Sequence, residues 1–130
     1  MKILVVEDDF TSRILLQRYL SSYGDCHIAI NGKEAVEAFK VSLKENQPYN
    51  LICMDIIMPE MSGQEALKII RDIEKSKGIL SSDGVKIIMV TAVEDVKNIF
   101  TAFNELCDTY LVKPIDKKRL EDQLRNMKLI

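Results

Sequence analysis

Short apolar runs alternate with amphipathic segments along this chain, and no other feature restricts the possible fold as much. "KILVV" is a β-branched run of the kind buried on both faces of a parallel sheet. "SRILLQRYL" follows, with Ile14, Leu15 and Tyr19, together with Leu16 and Leu20, at helical spacing. "CHIAI" reads as a second strand. "GKEAVEAFKVSLK" reads as a second helix, opened by Asn31-Gly32 and striped by Ala35, Val36, Phe39 and Leu43. "LICM" precedes a third helix, "QEALKIIRDIEK", whose apolar side is Ala66, Leu67, Ile70 and Ile73. "VKIIMV" precedes a fourth, carrying Val96, Ile99, Phe100 and Phe103, and "TYLV" leads into a last helix over 116–127 with Leu120 and Leu124 inward. "ENQPYN" and "KSKGILSSDG" read as loops.

Strand and helix alternating in this way predict an α/β fold: a doubly wound (βα)5 sandwich whose parallel sheet is covered on both faces through right-handed crossovers. The 130 residues, 47% of them hydrophobic, fit a single domain over 1–130. A net charge of -2 with acids and bases interspersed gives no reason to expect direct nucleic-acid binding or an anionic membrane surface as partner. The run Ile3 to Val6 is too short for a signal sequence or a membrane span. Cys26, Cys53 and Cys107 are odd in number and include no C-x-x-C pair, which points to a reducing cytoplasm.

Within this frame, Asp55 is the residue that needs explaining. In "YNLICMDIIMPEMSG" an apolar strand ends in a carboxylate, at the sheet edge where open parallel sheets bind ligands. Glu7, Asp8 and Asp9 end strand one. If strands one and three are neighbours, up to four carboxylates meet and repel one another, so a cation must compensate. A hard divalent ion with oxygen ligands fits, and Mg2+ is favoured because it binds through one or two carboxylates plus a phosphoryl group. Lys113 and Thr91, at the ends of strands five and four, add an ammonium and a hydroxyl at the same edge. Such a set suits a carboxylate that attacks phosphorus while its surroundings neutralise the phosphoryl oxygens.

"ILVVEDD", "MDIIMPEMSG", "VTA" and "YLVKP", in this order and at these separations, resemble the receiver domain of bacterial two-component response regulators, the CheY-like family. The resemblance covers essentially the whole chain and implies the flavodoxin-like strand order 2-1-3-4-5 for a stand-alone receiver. It implies that Asp55 is the phosphoacceptor, and that Asp8 and Asp55 bind Mg2+ together with the backbone carbonyl of Ile57, Glu7 acting through water. It further implies Lys113 as the phosphoryl contact, Thr91 and Tyr110 as switch residues, and Pro114 as a proline preceded by a cis bond. Ile57 and Val93 match the positions overhanging the phosphoryl group. Two aliphatic chains there cannot orient an attacking water, so a long-lived phosphoryl group is expected.

The implied partners are a sensor histidine kinase or histidine phosphotransfer protein and a downstream protein. The latter would be recognised by the face of helix four, strand five and the last helix. Leu106 departs from the glycine common in the family after helix four. A Mg2+-dependent phosphohydrolase with an aspartyl nucleophile is the alternative reading; it would need D-x-D after strand one, where this chain has Glu7-Asp8-Asp9. Asp9, immediately before the first helix, reads as its cap. His27 and the cysteines read as structural residues.

Overall fold

The computed structural model describes residues 1–92 and 106–130. Its elements are β1 (Lys2–Val6), α1 (Phe10–Leu20), β2 (Asp25–Ala29), α2 (Gly32–Lys44), β3 (Leu51–Asp55), α3 (Gly63–Ser76), β4 (Lys86–Thr91), β5 (Thr109–Val112) and a C-terminal helix (Lys117–Asn126). The strands form one parallel sheet in the order β2-β1-β3-β4-β5, as expected for the doubly wound class. The fourth helical stripe, Val96, Ile99, Phe100 and Phe103, lies outside the described residues, and so does Val93.

Successive strand residues serve opposite faces, as a pleat requires. Leu4, Val6, Ile52, Met54, Ile87 and Met89 pack with Val36 and Phe39 of α2 and Leu67 and Ile70 of α3. Ile3, Val5, Leu51, Cys53, Ile88 and Val90 pack on the other side with Leu16 and Leu20 of α1 and Leu120 and Leu124 of the C-terminal helix. The sheet thus separates two cores. Each described helix begins with a side-chain cap: Asp9, Asn31, Ser62 and Asp116 accept from the N–H groups of Ser12, Glu34, Glu65 and Arg119.

Two elements carry detail that the sequence pattern does not show. Ile14 and Leu15 are only half-buried, and the fully inward residues of α1 are Leu16 and Leu20. Leu15 instead lines a shallow groove with Pro114 and Ile115. Strand β2 is partly exposed: Asp25, His27 and Ile28 are open to solvent, because β2 is the sheet edge and pairs only with β1. His27 Nδ1 lies 3.0 Å from the Tyr49 hydroxyl, a structural contact.

At the amino end of the sheet, Arg71 ties α3 to β4 and to the entry of β5. Its guanidinium donates to Glu74 Oε1 and the carbonyl oxygens of Val85 and Leu106, each at 2.8 Å, and to Asp108 Oδ2 at 3.0 Å. Glu74 is only 5% exposed, and its other oxygen accepts from Val85 N–H at 2.7 Å. Leu106 is partly buried against the core here and supplies one of these carbonyls. Removing Arg71 leaves a buried carboxylate without its cation. Arg71→Ala is therefore expected to destabilise the fold by about 2–3 kcal/mol in urea denaturation. Arg71→Lys should recover only part of that loss, because an ammonium cannot span the same acceptors.

Candidate functional site

The sheet register gathers residues far apart in sequence at one edge. Val6 lies opposite Met54, so Glu7 follows β1 beside Asp55, the last residue of β3. The β1 ladder runs on through Glu7 N–H to Ala29 O at 3.0 Å. Asp55 lies opposite Val90 and Thr91 opposite Val112, and Lys113 N–H donates to Thr91 O at 2.8 Å. Strand ends β1, β3, β4 and β5 thus place Glu7, Asp55, Thr91 and Lys113 along one edge.

Lys113 Nζ stands 3.3 Å from Asp55 Oδ2 and 3.2 Å from Glu7 Oε2, bridging the two carboxylates. Asp55 Oδ1 accepts from Ile56 N–H at 2.8 Å. Glu7 is 0% exposed; Oε1 accepts from Asp9 N–H at 3.1 Å, whereas Oε2 is buried without a properly directed hydrogen bond, despite the nearby ammonium. Burial first, and the Asp55 charge second, push the Glu7 carboxyl up from 4.5 to about 7, against the opposing pull of the Asp9 N–H and Lys113. For Lys113, burial acts to lower the ammonium, but the attraction of Asp55 and Glu7 outweighs it and the group is raised.

Asp8 is exposed, and oxygens of Glu7, Asp8 and Asp55 all lie within 4.8 Å of one another. An all-carboxylate set suits a hard cation, and the orphaned Glu7 Oε2 is an acceptor in want of one. The residues present therefore fit a divalent ion with oxygen ligands.

The other predicted residues stand around this cluster. Thr91 is fully buried, and its hydroxyl donates to Ala92 O at 3.0 Å, along its own strand's continuation and not toward Asp55. Tyr110 is half-buried against the α2/α3 core. The Ile57 side chain is 65% exposed beside the site, and the Lys113–Pro114 bond is cis. Asp9 caps α1 through Ser12 N–H at 2.9 Å. Cys53 is wholly buried, and burial pushes its thiol up to about 12, consistent with an inert core residue.

Two participants escaped the sequence reading. Arg13 donates to the Glu7 carbonyl at 3.3 Å; its place one turn into α1 was the only available signal. Gly63 lies directly under Asp55: a Cβ there would fall on the Asp55 carbonyl oxygen. In the sequence Gly63 stands out only as the last residue of "MDIIMPEMSG".

Residues 3–125 match the family described as the response regulator receiver domain. A probable transcriptional regulator, ycf27, of Porphyridium aerugineum is 33% identical over 97% of this chain and 47% of its own length. The chain spans about half the length of the first curated relatives it matches. Among solved structures, the receiver domain of the Pseudomonas aeruginosa sensor histidine kinase PA1611, with a magnesium ion coordinated in its active site cleft, is 26% identical at a TM-score of 0.76, covering 97% of this chain and 95% of that one. The receiver domain of Saccharomyces cerevisiae Ssk1, co-crystallised with the histidine phosphotransfer protein Ypd1, is 30% identical at a TM-score of 0.81, covering 98% and 88%.

The raised Glu7 carboxyl has a consequence for stability. Between 4.5 and about 7 the folded chain holds a Glu7 proton that the unfolded chain releases. Stability from this group is fully present below 4.5 and is lost as pH rises through about 7. In metal-free buffer, denaturation midpoints should fall across that window, and Glu7→Gln should flatten this part of the profile. A Glu7→Gln profile parallel to the parent's would show that Glu7 titrates normally.

Proposed function

This chain belongs to the response regulator receiver domain family, and from that premise we propose that Asp55 accepts a phosphoryl group from a sensor histidine kinase or a histidine phosphotransfer protein. The observation that carries this reading is the Asp55 carboxylate held 3.3 Å from the Lys113 ammonium inside an acidic cluster at the strand ends. Asp55 is a nucleophile with one oxygen directed by a backbone N–H and the other beside a fixed positive charge. An Asp55 oxygen forms a bond to phosphorus as the phosphorus–nitrogen bond of the donor phosphohistidine breaks, and the imidazole nitrogen leaves with that electron pair. Lys113 then neutralises phosphoryl oxygens at the site it already occupies.

Glu7, Asp8 and Asp55, with the Ile57 carbonyl, are the residues that would hold Mg2+. When bound, the ion supplies charge neutralisation for the phosphoryl oxygens. The magnesium-bound receiver of the PA1611 kinase supports this assignment. The Ssk1 receiver, crystallised with a phosphotransfer protein, supports the class of donor.

The acyl phosphate would bring new charge and acceptor oxygens beside Thr91 and Lys113. The Thr91 hydroxyl, bound to Ala92 O beforehand, would turn to the phosphoryl group, and Tyr110 would follow behind it. The face formed by β5, the C-terminal helix and the preceding segment would then meet a downstream protein. The domain spans 1–130 in this reading and catalyses only its own phosphorylation and dephosphorylation. No helix among the described residues is long and apolar enough to cross a membrane. We assign the domain to the cytoplasm on its free cysteines, Cys26, Cys53 and Cys107, which suit a reducing compartment.

Mass spectrometry after treatment with acetyl phosphate and Mg2+ should find one added phosphoryl group on the parent and none on Asp55→Asn. Sustained release of phosphate from small phosphomonoesters would instead favour the phosphohydrolase reading. Signal lifetime follows from Ile57 and Val93, whose aliphatic side chains cannot orient a hydrolytic water. The phosphorylated parent should decay more slowly than the double variant Ile57→Asn, Val93→Glu. Equal decay rates would refute the water-excluding role of both residues.

A further inference from the structure

The loop between β3 and α3 is held in a way that its sequence alone does not require. Glu60 has φ 66 and sits at the centre of a three-residue turn closed by Met61 N–H onto Pro59 O at 2.7 Å. A positive-φ turn of this kind is rare and costs free energy at a residue with a Cβ. Such a conformation persists where its surroundings over-determine it. At one end Gly63 N–H donates to Ile56 O at 2.7 Å. At the other end the first residue of α2, Gly32, donates its N–H to Met61 O at 3.1 Å.

That N–H is one of the first-turn donors an α-helix cannot satisfy internally, and here it is spent on the neighbouring loop. The approach depends on the missing side chain. A Cβ on Gly32 would lie 2.6 Å from Met61 O and 2.9 Å from Ser62 O. Ile57 lies between these anchors, on the backbone stretch that follows Asp55.

We propose that Gly32 is a positioning residue for the cation-binding loop: by docking the start of α2 on the Met61 peptide, it fixes the backbone that presents the Ile57 carbonyl. This rests on reading Glu7, Asp8, Asp55 and Ile57 as a Mg2+ site. The start of α2 thereby becomes part of the site's supporting structure. Such outer contacts affect how tightly an ion is held, because they set the orientation of the direct ligands.

The test is Mg2+ titration by calorimetry, together with thermal unfolding in metal-free buffer. Gly32→Ala should weaken Mg2+ binding roughly 10-fold or more and lower the melting temperature. In the double variant Gly32→Ala, Glu60→Gly, the loop can move away from the added Cβ at little conformational cost, since glycine readily adopts positive φ. Its melting temperature should recover toward the parent's while Mg2+ affinity stays low. Affinity that recovers in step with stability, or Gly32→Ala binding as tightly as the parent, would overturn the positioning role.

Should Gly32→Ala not fold, the isotope-labelled parent decides. The Gly32 and Ile57 amide resonances are expected to shift along one Mg2+ binding curve, and a stationary Gly32 resonance would overturn the proposal. A parent that binds no Mg2+ would instead bring down the metal reading itself, and this inference with it.

Discussion

The ammonium of Lys113 between the carboxylates of Asp55 and Glu7 is the interaction on which the rest of the architecture turns. The parallel order β2-β1-β3-β4-β5 sets the acidic end of β1 beside the acidic end of β3, and like charges so close raise each other's free energy. The chain answers with a lysine that directly follows β5, a strand two places away from β3 and joined to it through β4. One ammonium against three carboxylates leaves an excess of negative charge. That excess is the chemical character of the site: it favours a divalent ion, and it leaves Lys113 beside the oxygen that the proposed phosphoryl group would join.

The two ends of the sheet solve opposite problems. At the amino end, Arg71 meets Glu74, Asp108 and the carbonyls of Val85 and Leu106, and the charges are matched by directed hydrogen bonds. At the carboxyl end, Glu7 Oε2 is buried without such a bond. A satisfied network holds elements in place, whereas an unsatisfied one responds to whatever enters it. The fold thus places a satisfied charge network at one end of the sheet and an unsatisfied carboxylate at the other, joined by strands that touch both.

Much of this was written plainly in the sequence. Period-two and helical patterns are local properties, so the strands and described helices could be found from neighbours a few residues apart, and the acids at Glu7, Asp8 and Asp55 stood out because each ends an apolar strand. What was not legible depends on spatial neighbours. "CHIAI" has the composition of a buried strand, and only the strand order makes β2 an edge. Leu15 carries the same helical signal as Leu16, yet it is half-buried and lines a groove with Pro114 and Ile115 while Leu16 enters the core. Gly32 shows in the sequence only as a helix opening and Gly63 only as the end of "MDIIMPEMSG", since the carbonyls that exclude a side chain there come from Met61, Ser62 and Asp55. The burial of Glu7 likewise needed three dimensions, for nothing in "VVEDD" distinguishes a carboxylate at 0% exposure from the exposed one that follows it.

All five residues of β3 are buried: Leu51 and Cys53 serve one core, Ile52 and Met54 the other, and Asp55 ends the strand in the acidic cluster. No position on it faces solvent, so the strand has no neutral sites at which substitutions can accumulate unnoticed. Latitude for change lies on the outer faces of the helices and in the loops. A lineage built on this scaffold can acquire new binding preferences by varying those surfaces, while each position of the strand that delivers the nucleophile admits only replacements that refill the interior it serves.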